Sequence, residues 1–343
     1  MPLISVVIPA FNAGRFINRT IDSLLAQTCK DCEIIVVDDG STDNTAQIVK
    51  SYGSKVRYIL QPNAGDGPAR NTGINAANGT WIAFLDHDDE WLPEKLEVQM
   101  KLLSANPDLR WCGTNRYQSD GQRCAVVTDS RKIEIKLGGR DYFENYFMAI
   151  IEGGCQVITS TLMVRRDVFS EVGVFDNCWK RCADQDMWWR ITYKFPRIGY
   201  ISKPLAVVHL EAPTLTTVKL SLEDKRGGQI RELVTRHLEL AKAANMSEEY
   251  RPLAAKILKE ALLEMLYRGF GSDARATVRQ FNDLFVWHWR LGTYLLTVFP
   301  NVTAGILQTT VFLAHKLGLE RQVSRRWVYR QEPHDDPTRT KQT

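Results

Sequence analysis

The sequence has no regular cysteine framework, no strong charge of either sign, and no signal-peptide pattern in its first residues. The N-terminal residues have no basic segment and no small-residue cleavage site, so they predict a first strand and a cytoplasmic protein. Seven cysteines, an odd number without regular spacing, are typical of reduced thiols in that compartment. Cys29-x-x-Cys32 together with Cys178-x3-Cys182 leaves a zinc site open as the alternative to plain thiols.

The net charge of +4 is unevenly distributed along the 343 residues. Residues 1–218 carry 24 Lys and Arg against 26 Asp and Glu, whereas residues 219–343 carry 20 against 14. A near-neutral first part argues against a nucleic-acid-binding protein, and the basic second part is compatible with an anionic membrane surface. The length predicts one large domain with an appendage.

Apolar runs alternate with amphipathic segments through the first hundred residues. The runs at 4–8, 33–37, 56–60 and 81–85 predict strands, and the segments at 13–27, 42–52, 69–77 and 93–105 predict helices. This alternation predicts a doubly wound α/β sheet with parallel pairing and right-handed crossovers.

The pattern weakens after residue 106. Residues 106–137 predict an edge hairpin or loops, followed by a helix at 142–152, a strand at 160–165, a helical turn at 167–172 and a helix at 184–193. Two short strands are predicted at 198–201 and 205–210. From 221 to 319 the pattern is helical, with breaks near 245, 269–271 and 300.

The strand predicted at 81–85 ends abruptly in acids, among them Asp86, Asp88, Asp89 and Glu90. Close carboxylates repel one another, and a divalent cation held by oxygen ligands is the usual compensation. The alternative is that Asp88 or Asp89 caps a helix that starts near Pro93. The acids alone leave both interpretations open.

Two other predicted strands also end in polar or aromatic residues. The first strand is followed by Pro9, Ala10, Phe11 and Asn12. After the second strand, Asp39 is a candidate acceptor for a nucleobase N–H, although the same residues could form a turn that caps the next helix. Further on, Gly65, Gly67 and Arg70 lie where a loop enters a helix, which suits a phosphate.

In order along the chain, four motifs resemble those of the family-2 inverting glycosyltransferases with a GT-A fold, over roughly residues 3–210. The motifs are Ser5-Val6-Val7-Ile8-Pro9-Ala10-Phe11-Asn12, Ile35 to Asp43, Asn63 to Gly73, and Phe84-Leu85-Asp86-His87-Asp88-Asp89. The resemblance implies a GT-A (Rossmann-like) mixed, mostly parallel central sheet flanked by helices, with a mainly α-helical C-terminal extension. It implies a catalytic domain at 1–218, whose part from about 106 to 218 faces the acceptor. A helical basic region at 219–330 and a disordered tail at 331–343 complete the predicted organisation.

The resemblance assigns donor-binding roles at three strand ends and a DxD motif to Asp86 and Asp88. With the residues identified above, the predicted donor-nucleotide site consists of Pro9, Ala10, Phe11, Asn12, Asp39, Gly65, Arg70, Asp86 and His87. The implied metal ligands are Asp88, Asp86 and His209, for Mn²⁺ or Mg²⁺. Without the resemblance, a lone histidine after an apolar run would be taken for a structural residue.

The catalytic base implied by the resemblance is Asp184, in Ala183-Asp184-Gln185-Asp186-Met187-Trp188-Trp189-Arg190. Ala183 stands where the family usually has Glu. Asp186 is two residues further along a predicted helix, so its side chain points elsewhere. The structural alternative for Asp184 is an acid favoured by the dipole at a helix N-terminus.

The implied reaction moves a sugar from a nucleotide-diphosphate sugar, usually UDP-linked, to an acceptor hydroxyl with inversion. The implied acceptor is a saccharide or lipid-linked saccharide, in cell-surface polysaccharide or glycolipid assembly. A phosphatase of the haloacid dehalogenase type is disfavoured because Glu90 stands where that class has Thr or Val. A catalytically silent sugar-nucleotide-binding or membrane scaffold protein is the alternative from a different class.

The C-terminal region contains an uncharged stretch from 291 to 314, interrupted by Pro300. It predicts two helices, at 291–299 and 302–317, rather than one spanning helix. Basic residues follow at 316, 321, 325, 326 and 330. Four interpretations of this region stay open: packing on the catalytic domain, a homo-oligomer, a peripheral membrane contact through 291–330 and a true membrane span. The predicted location is the cytoplasm, at the inner face of the cell membrane.

Overall fold

The computed structural model describes residues 3–122, 124–179, 182–210 and 227–316. The described residues fall into two compact units, one within Met1–Asp224 and Glu232–Ala254 and the other within Lys225–Arg231 and Ala255–Thr343. The domain boundary predicted at 218 and the tail predicted at 331–343 lie outside the described residues.

The first unit is built on one sheet, in which the described residues contribute ten strands. The strands are β1 (Ile4–Ala10), β2 (Cys32–Asp38), β3 (Arg57–Leu60), β4 (Trp81–Phe84), β5 (Glu90–Trp91), β6 (Trp111–Ser119), β7 (Cys124–Val126), β8 (Tyr142–Phe143), β9 (Met163–Arg165) and β10 (Ile198–His209). Their order is β3-β2-β1-β4-β9-β6-β10-β5, with β7 beside β6 and β8 beside β10. The pairs β1 with β2, β1 with β4, β2 with β3 and β6 with β10 are parallel, whereas β9 is antiparallel to both of its neighbours. The predicted mixed, mostly parallel sheet is confirmed.

Helices flank this sheet. They are α1 (Ile17–Leu25), α2 (Thr45–Ser51), α3 (Asp66–Ala76), α4 (Lys95–Ala105), α5 (Ser130–Leu137), α6 (Tyr146–Gly153), α7 (Asp167–Val172) and α8 (Ala183–Lys194). In α1 the buried positions Ile17, Thr20, Ile21 and Leu24 recur at helical spacing. Helix α3 lies close to β1, because a Cβ added at Gly73 would stand 2.2 Å from Val7 Cγ1.

The core explains why β1 and β4 are continuous apolar runs. Every residue of β1 and of β4 is buried, since helices cover both faces of the parallel part of the sheet. Strands of this kind hold the residues that follow them in fixed positions. The carboxyl ends of β2, β1 and β4 are adjacent at one edge of the sheet.

Three predictions for residues 106–210 were wrong in detail. The hairpin predicted in 106–137 is present as β6 and β7, but β6 lies inside the sheet rather than at its edge, where the Asn115 amide is satisfied by donating to the carbonyls of Thr128 and Ser202. The helix predicted at 142–152 starts later, at Tyr146, because β8 pairs with β10. The two strands predicted at 198–201 and 205–210 are one strand with an irregular register around Pro204.

The C-terminal helices confirm the predicted helical extension. They are α9 (Gly228–Ala243), α10 (Ser247–Tyr267), α11 (Gly271–Gln280), α12 (Trp287–Leu296) and α13 (Pro300–Lys316). Asn245 and Gly269 adopt positive φ angles of 55° and 79° at two of the predicted breaks. Within the described residues, no helix combines the length and apolar character needed to cross a bilayer.

Candidate active site

The loops after β1 and β2 are bonded to each other at the carboxyl edge of the sheet. The Asp39 N–H donates to the Ala10 carbonyl at 2.8 Å, and the Asn12 N–H donates to Ser41 Oγ at 2.9 Å. Asn12 Oδ1 accepts in return from the Thr42 N–H at 2.9 Å. Asn12 has a φ of 50°, a conformation that asparagine tolerates better than most residues. This pair of loops fixes Pro9, Ala10, Phe11 and Asn12 beside Asp39.

The carboxylate of Asp39 is buried and organises the loop that leads into α3. Its Oδ1 accepts from Gln61 Nε2 at 2.7 Å and from the Ala64 N–H at 3.0 Å, and its Oδ2 accepts from the Gly65 N–H at 2.7 Å. Asn63 Nδ2 donates to the Asp39 carbonyl. The protein thus occupies most of the acceptor capacity of this carboxylate. The role of Asp39 toward a nucleobase stays a prediction.

Arg70 is a buried cation beside the acidic strand end. Its Nη2 lies 2.8 Å from Asp86 Oδ1, and its guanidinium lies 5.6 Å from the centroid of the Phe175 ring. Burial alone would lower the pKa of Arg70, but Asp86, Asp66 and Asp184 outweigh burial and raise it. A charged guanidinium therefore stands among three carboxylates at the start of α3.

The turn Asp86-His87-Asp88-Asp89 is held by side chains of α1 that the sequence pattern did not reveal. Arg19 Nη2 donates to the Asp88 carbonyl at 2.7 Å, and Thr20 Oγ1 lies 2.8 Å from the carbonyls of His87 and Asp89. His87 Nδ1 lies 3.2 Å from the Pro9 carbonyl. Burial, followed by the charge of Asp86, raises the pKa of Asp88, whereas the charge of His87 lowers it.

Asp88 and Asp89 do not cap a helix, so that interpretation was wrong. Helix α4 begins only at Lys95, after the short strand β5. The buried carboxylate of Asp89 accepts from Ser160 Oγ at 2.5 Å and from the His209 N–H at 3.2 Å. Burial, together with the charges of Asp86 and Asp88, raises the pKa of Asp89 well above its usual range. Asp89 thus joins the end of β10 to the acidic turn.

His209 reaches this region because β10 pairs with β5. Its Nε2 lies 3.0 Å from Glu90 Oε1. Over the part of the chain that the structure describes, no three His, Cys, Asp or Glu side chains are grouped so that they could hold a metal ion. Asp86, Asp88 and His209 thus form no three-ligand cluster by themselves, nor do the cysteines considered for zinc.

Helix α8 carries Asp184 in its first turn. The carboxylate accepts from the Gln185 N–H at 2.8 Å. Burial raises the pKa of Asp184, and the charge of Arg70 opposes this shift. Asp184 is thus coupled electrostatically to the same guanidinium that pairs with Asp86.

Asp186 points away from Asp184, as helical spacing predicts. Its buried carboxylate accepts from Arg190 Nε at 2.8 Å and lies 3.2 Å from His237 Nε2 on α9. His237 Nδ1 in turn lies 3.1 Å from the Tyr193 hydroxyl. These bonds join α8 to α9. No signal in the sequence connected Asp186 with a histidine 51 residues away.

The sequence model of glycosyl transferase family 2 matches residues 5–173. A Rickettsia prowazekii (strain Madrid E) protein, uncharacterized glycosyltransferase RP339, is 32% identical over 251 residues, which cover 71% of this chain and 76% of that relative. Uncharacterized glycosyltransferase alr2836 of Nostoc sp. (strain PCC 7120) is 47% identical over 189 residues, which cover 53% of this chain and 56% of that relative. The chain spans between 27% and 60% of the length of other Rickettsia relatives that it matches.

The fold is similar to that of S. aureus TarS. Residues 1–349 of TarS in complex with UDP superpose with a TM-score of 0.63 at 19% identity, covering 93% of this chain and 92% of that one. The structure of the same TarS fragment in complex with UDP-GlcNAc gives a TM-score of 0.56. At this level of identity the likeness shows a shared GT-A fold.

Proposed function

The chain belongs to glycosyl transferase family 2, and on that premise we propose that it transfers a sugar with inversion from a UDP-linked donor to an acceptor hydroxyl, with a divalent cation. The observation that carries the proposal is the buried guanidinium of Arg70, which is paired with Asp86 and coupled to Asp184. The fixed positive charge of Arg70, between Asp86 at the end of β4 and Asp184 at the start of α8, suits a reaction in which negative charge develops on a diphosphate.

The donor nucleotide is assigned to the loops after β1 and β2 and to the start of α3. Pro9 to Asn12 provide an apolar wall, and Asp39 is the acceptor for a ring N–H. To accept that bond, the Asp39 carboxylate would exchange one of its present donors for the base, because a carboxylate has about four lone-pair positions. TarS structures contain UDP and UDP-GlcNAc, which supports a UDP-linked donor.

The carboxylate oxygens of Asp86 and Asp88 are the kind of ligand that Mg²⁺ and Mn²⁺ prefer. Such a cation binds one or two protein carboxylates and completes its shell with substrate phosphates and water, so a three-residue protein cluster is not required. Burial and, after it, the charge of Asp86 raise the pKa of Asp88. A bound cation would lower this pKa again, because its positive charge stabilises the carboxylate. His209, now beside Glu90, is the third proposed ligand. The bound cation would supply Lewis-acid stabilisation of the departing diphosphate.

Asp184 is assigned as the general base. The acceptor oxygen bonds to the anomeric carbon while the bond from that carbon to the diphosphate oxygen breaks, and the hydroxyl proton passes to the Asp184 carboxylate. Because burial raises the pKa of this carboxylate, its anion is a stronger base than an exposed aspartate. Because this step needs no carboxylate nucleophile, the proposed reaction is a single displacement, and therefore inverts the anomeric carbon.

The acceptor is assigned to a saccharide or lipid-linked saccharide that approaches from residues 106–218. Such a substrate would place the enzyme in cell-surface polysaccharide or glycolipid assembly, at the cytoplasmic face of the membrane. Asp184 and the acids of the DxD motif lie on different elements, α8 and the turn after β4, so that an acceptor and a donor could be held from two sides.

A donor panel tests the proposed function. We expect UDP-sugars to raise the melting temperature of the protein in the presence of Mn²⁺ but not with EDTA, and UDP to be released on turnover. Asp88→Ala should abolish the Mn²⁺-dependent increase, because the substitution removes a cation ligand. Asp31→Asn is the matched control, because this exposed acid precedes β2 at the opposite edge of the sheet. Donor binding without any UDP release would instead identify a silent sugar-nucleotide-binding protein.

Replacing Arg70 by Met should shift the acidic limb of the pH–rate profile to higher pH. The charge of Arg70 opposes the burial that raises the pKa of Asp184, so removing it raises that pKa further. The base then becomes protonated, and inactive, at a higher pH than in the wild type. The measurement is kcat for UDP release between about pH 5 and 9 at saturating donor. An acidic limb that stays in place would show that Asp184 does not titrate in this profile.

A further inference from the structure

Helices α12 and α13 and the turn between them expose an unusual number of large apolar side chains. In the described part of the chain, ten of the fourteen large hydrophobic side chains that are exposed lie between residues 286 and 306. Those at least 60% exposed are Trp287, Leu295, Val298, Phe299, Val302 and Ile306, here called the apolar surface. Exposed apolar side chains concentrated in this way mark a surface that a partner or a membrane covers.

The few buried side chains between residues 287 and 310 are small or hydroxyl-bearing, although Gly305, Thr309 and Thr310 of α13 are exposed. Thr293, Thr297 and Ala304 are the buried positions. The two threonine hydroxyls are satisfied by carbonyls of the preceding turn, at 2.8 Å for Thr293 and 2.7 Å for Thr297. A Cβ added at Gly271 would stand 3.2 Å from Thr297 Cβ, so this inward face packs closely. Helix α12, in which Thr293 is buried and Leu295 is exposed, therefore differs from a helix on an aqueous surface, which has apolar residues inward and polar residues outward.

Cations of the neighbouring helices lie beside this region. Lys259 Nζ lies 5.6 Å from the ring centroid of Trp289, Arg275 Nη1 donates to the Thr297 carbonyl at 2.8 Å, and Arg279 Nε donates to the Tyr294 hydroxyl at 3.1 Å. The sequence from Leu291 to His315 contains no acid, and basic residues follow at 316, 321, 325, 326 and 330, of which those from 321 lie outside the described residues. Apolar and aromatic side chains next to cations suit a surface of anionic lipid headgroups.

We propose that α12 and α13 dock the protein on an anionic lipid membrane, with the apolar surface inserted at the level of the headgroups. The two helices have 10 and 17 residues, about 15 Å and 25 Å long, whereas a hydrocarbon core is about 30 Å thick. They therefore lie in the interface and do not span it. The proposal does not depend on the donor or the acceptor. It explains the exposed apolar side chains and the adjacent cations together, whereas a second copy of the chain would account only for the apolar side chains.

Sedimentation of the full chain with lipid vesicles tests the proposal. We expect binding to vesicles of phosphatidylglycerol and phosphatidylcholine, and weaker binding to phosphatidylcholine alone. The double variant Leu295→Gln and Phe299→Gln should lower partitioning by at least about tenfold, because both side chains are exposed and would lie in the lipid. The control is Leu60→Gln with Ile135→Gln, which changes two equally exposed apolar residues elsewhere and should bind like the wild type.

Two outcomes would overturn the proposal. The first is no vesicle binding by the wild-type protein, or equal binding by both double variants. The second is a concentration-dependent dimer, measured by analytical ultracentrifugation without lipid, that the Leu295 and Phe299 variant abolishes while vesicle binding is absent. That result would identify the apolar surface as an interface between copies. Because the substituted side chains are exposed, circular dichroism should show the same helix content in all variants.

Discussion

Asp184→Asn should reduce UDP release from the preferred donor by about 10²- to 10⁴-fold, the range that a positioned general base contributes. Asparagine has nearly the shape of aspartate but cannot take up the proton of the attacking hydroxyl. Donor binding should survive, because Arg70 keeps its ion pair with Asp86 at 2.8 Å and the loops around Asp39 do not involve α8. Steady-state kcat and a calorimetric Kd for the donor, measured on the same preparation, separate the two effects.

Near-normal turnover by the Asp184→Asn variant would remove Asp184 from the proposed mechanism. Loss of donor binding together with turnover would show that the residue holds Arg70 or the nucleotide instead. Asp31→Asn is again the control, since it makes the same chemical change at the opposite edge of the sheet. Preserved activity in that variant excludes a general effect of lowering the negative charge.

The strand ends of this site could be predicted from the sequence because the strands are buried on both faces. Every residue of β1 and β4 is buried, so these strands appear as unbroken apolar runs, and the first polar residue after each run marks the edge of the sheet. Adjacent parallel strands then bring Asn12, Asp39 and Asp86 to one edge. The local sequence pattern and the strand order are therefore sufficient to predict where these three residues lie.

What the sequence did not show depends on contacts between distant residues. Thr114 and Asn115 are polar yet fully buried in β6, and Asn115 is satisfied by carbonyls 13 and 87 residues away, so the strand lacks an apolar signature. The sequence leaves Asp89 a candidate helix cap because Pro93 follows closely, whereas its partner Ser160 is 71 residues distant. A carboxylate whose donors come from other elements has no local pattern that distinguishes it from a cap.

Asp186→Ala should cost about 3–5 kcal/mol of the free energy of unfolding, the usual effect of removing one partner from a buried ion pair. The Asp186 side chain is 0% exposed, and the substitution leaves Arg190 and His237 without their shared acceptor. Asp167→Ala is the matched control on the neighbouring helix α7. Its ion pairs with Arg110 and Arg165 are partly exposed, so its loss should cost no more than about 1 kcal/mol. Urea unfolding at pH 7 measures both values.

The pH dependence of this stabilisation tests its electrostatic origin. Burial alone would raise the pKa of Asp186, but the hydrogen bonds and charges of His237 and Arg190 outweigh burial and lower it. A folded-state pKa below the unfolded value, about 3.9 for aspartate, means that the stabilisation is complete above that pH and is lost as the pH falls through the folded-state pKa. The difference in stability between wild type and Asp186→Ala should therefore grow slightly from neutral pH down to about pH 5, because Asp186 opposes the burial that lowers the pKa of His237, and it should shrink below about pH 4 as the Asp186 carboxylate is protonated. A difference that does not change at low pH would mean that Asp186 stabilises the protein through packing rather than through its charge.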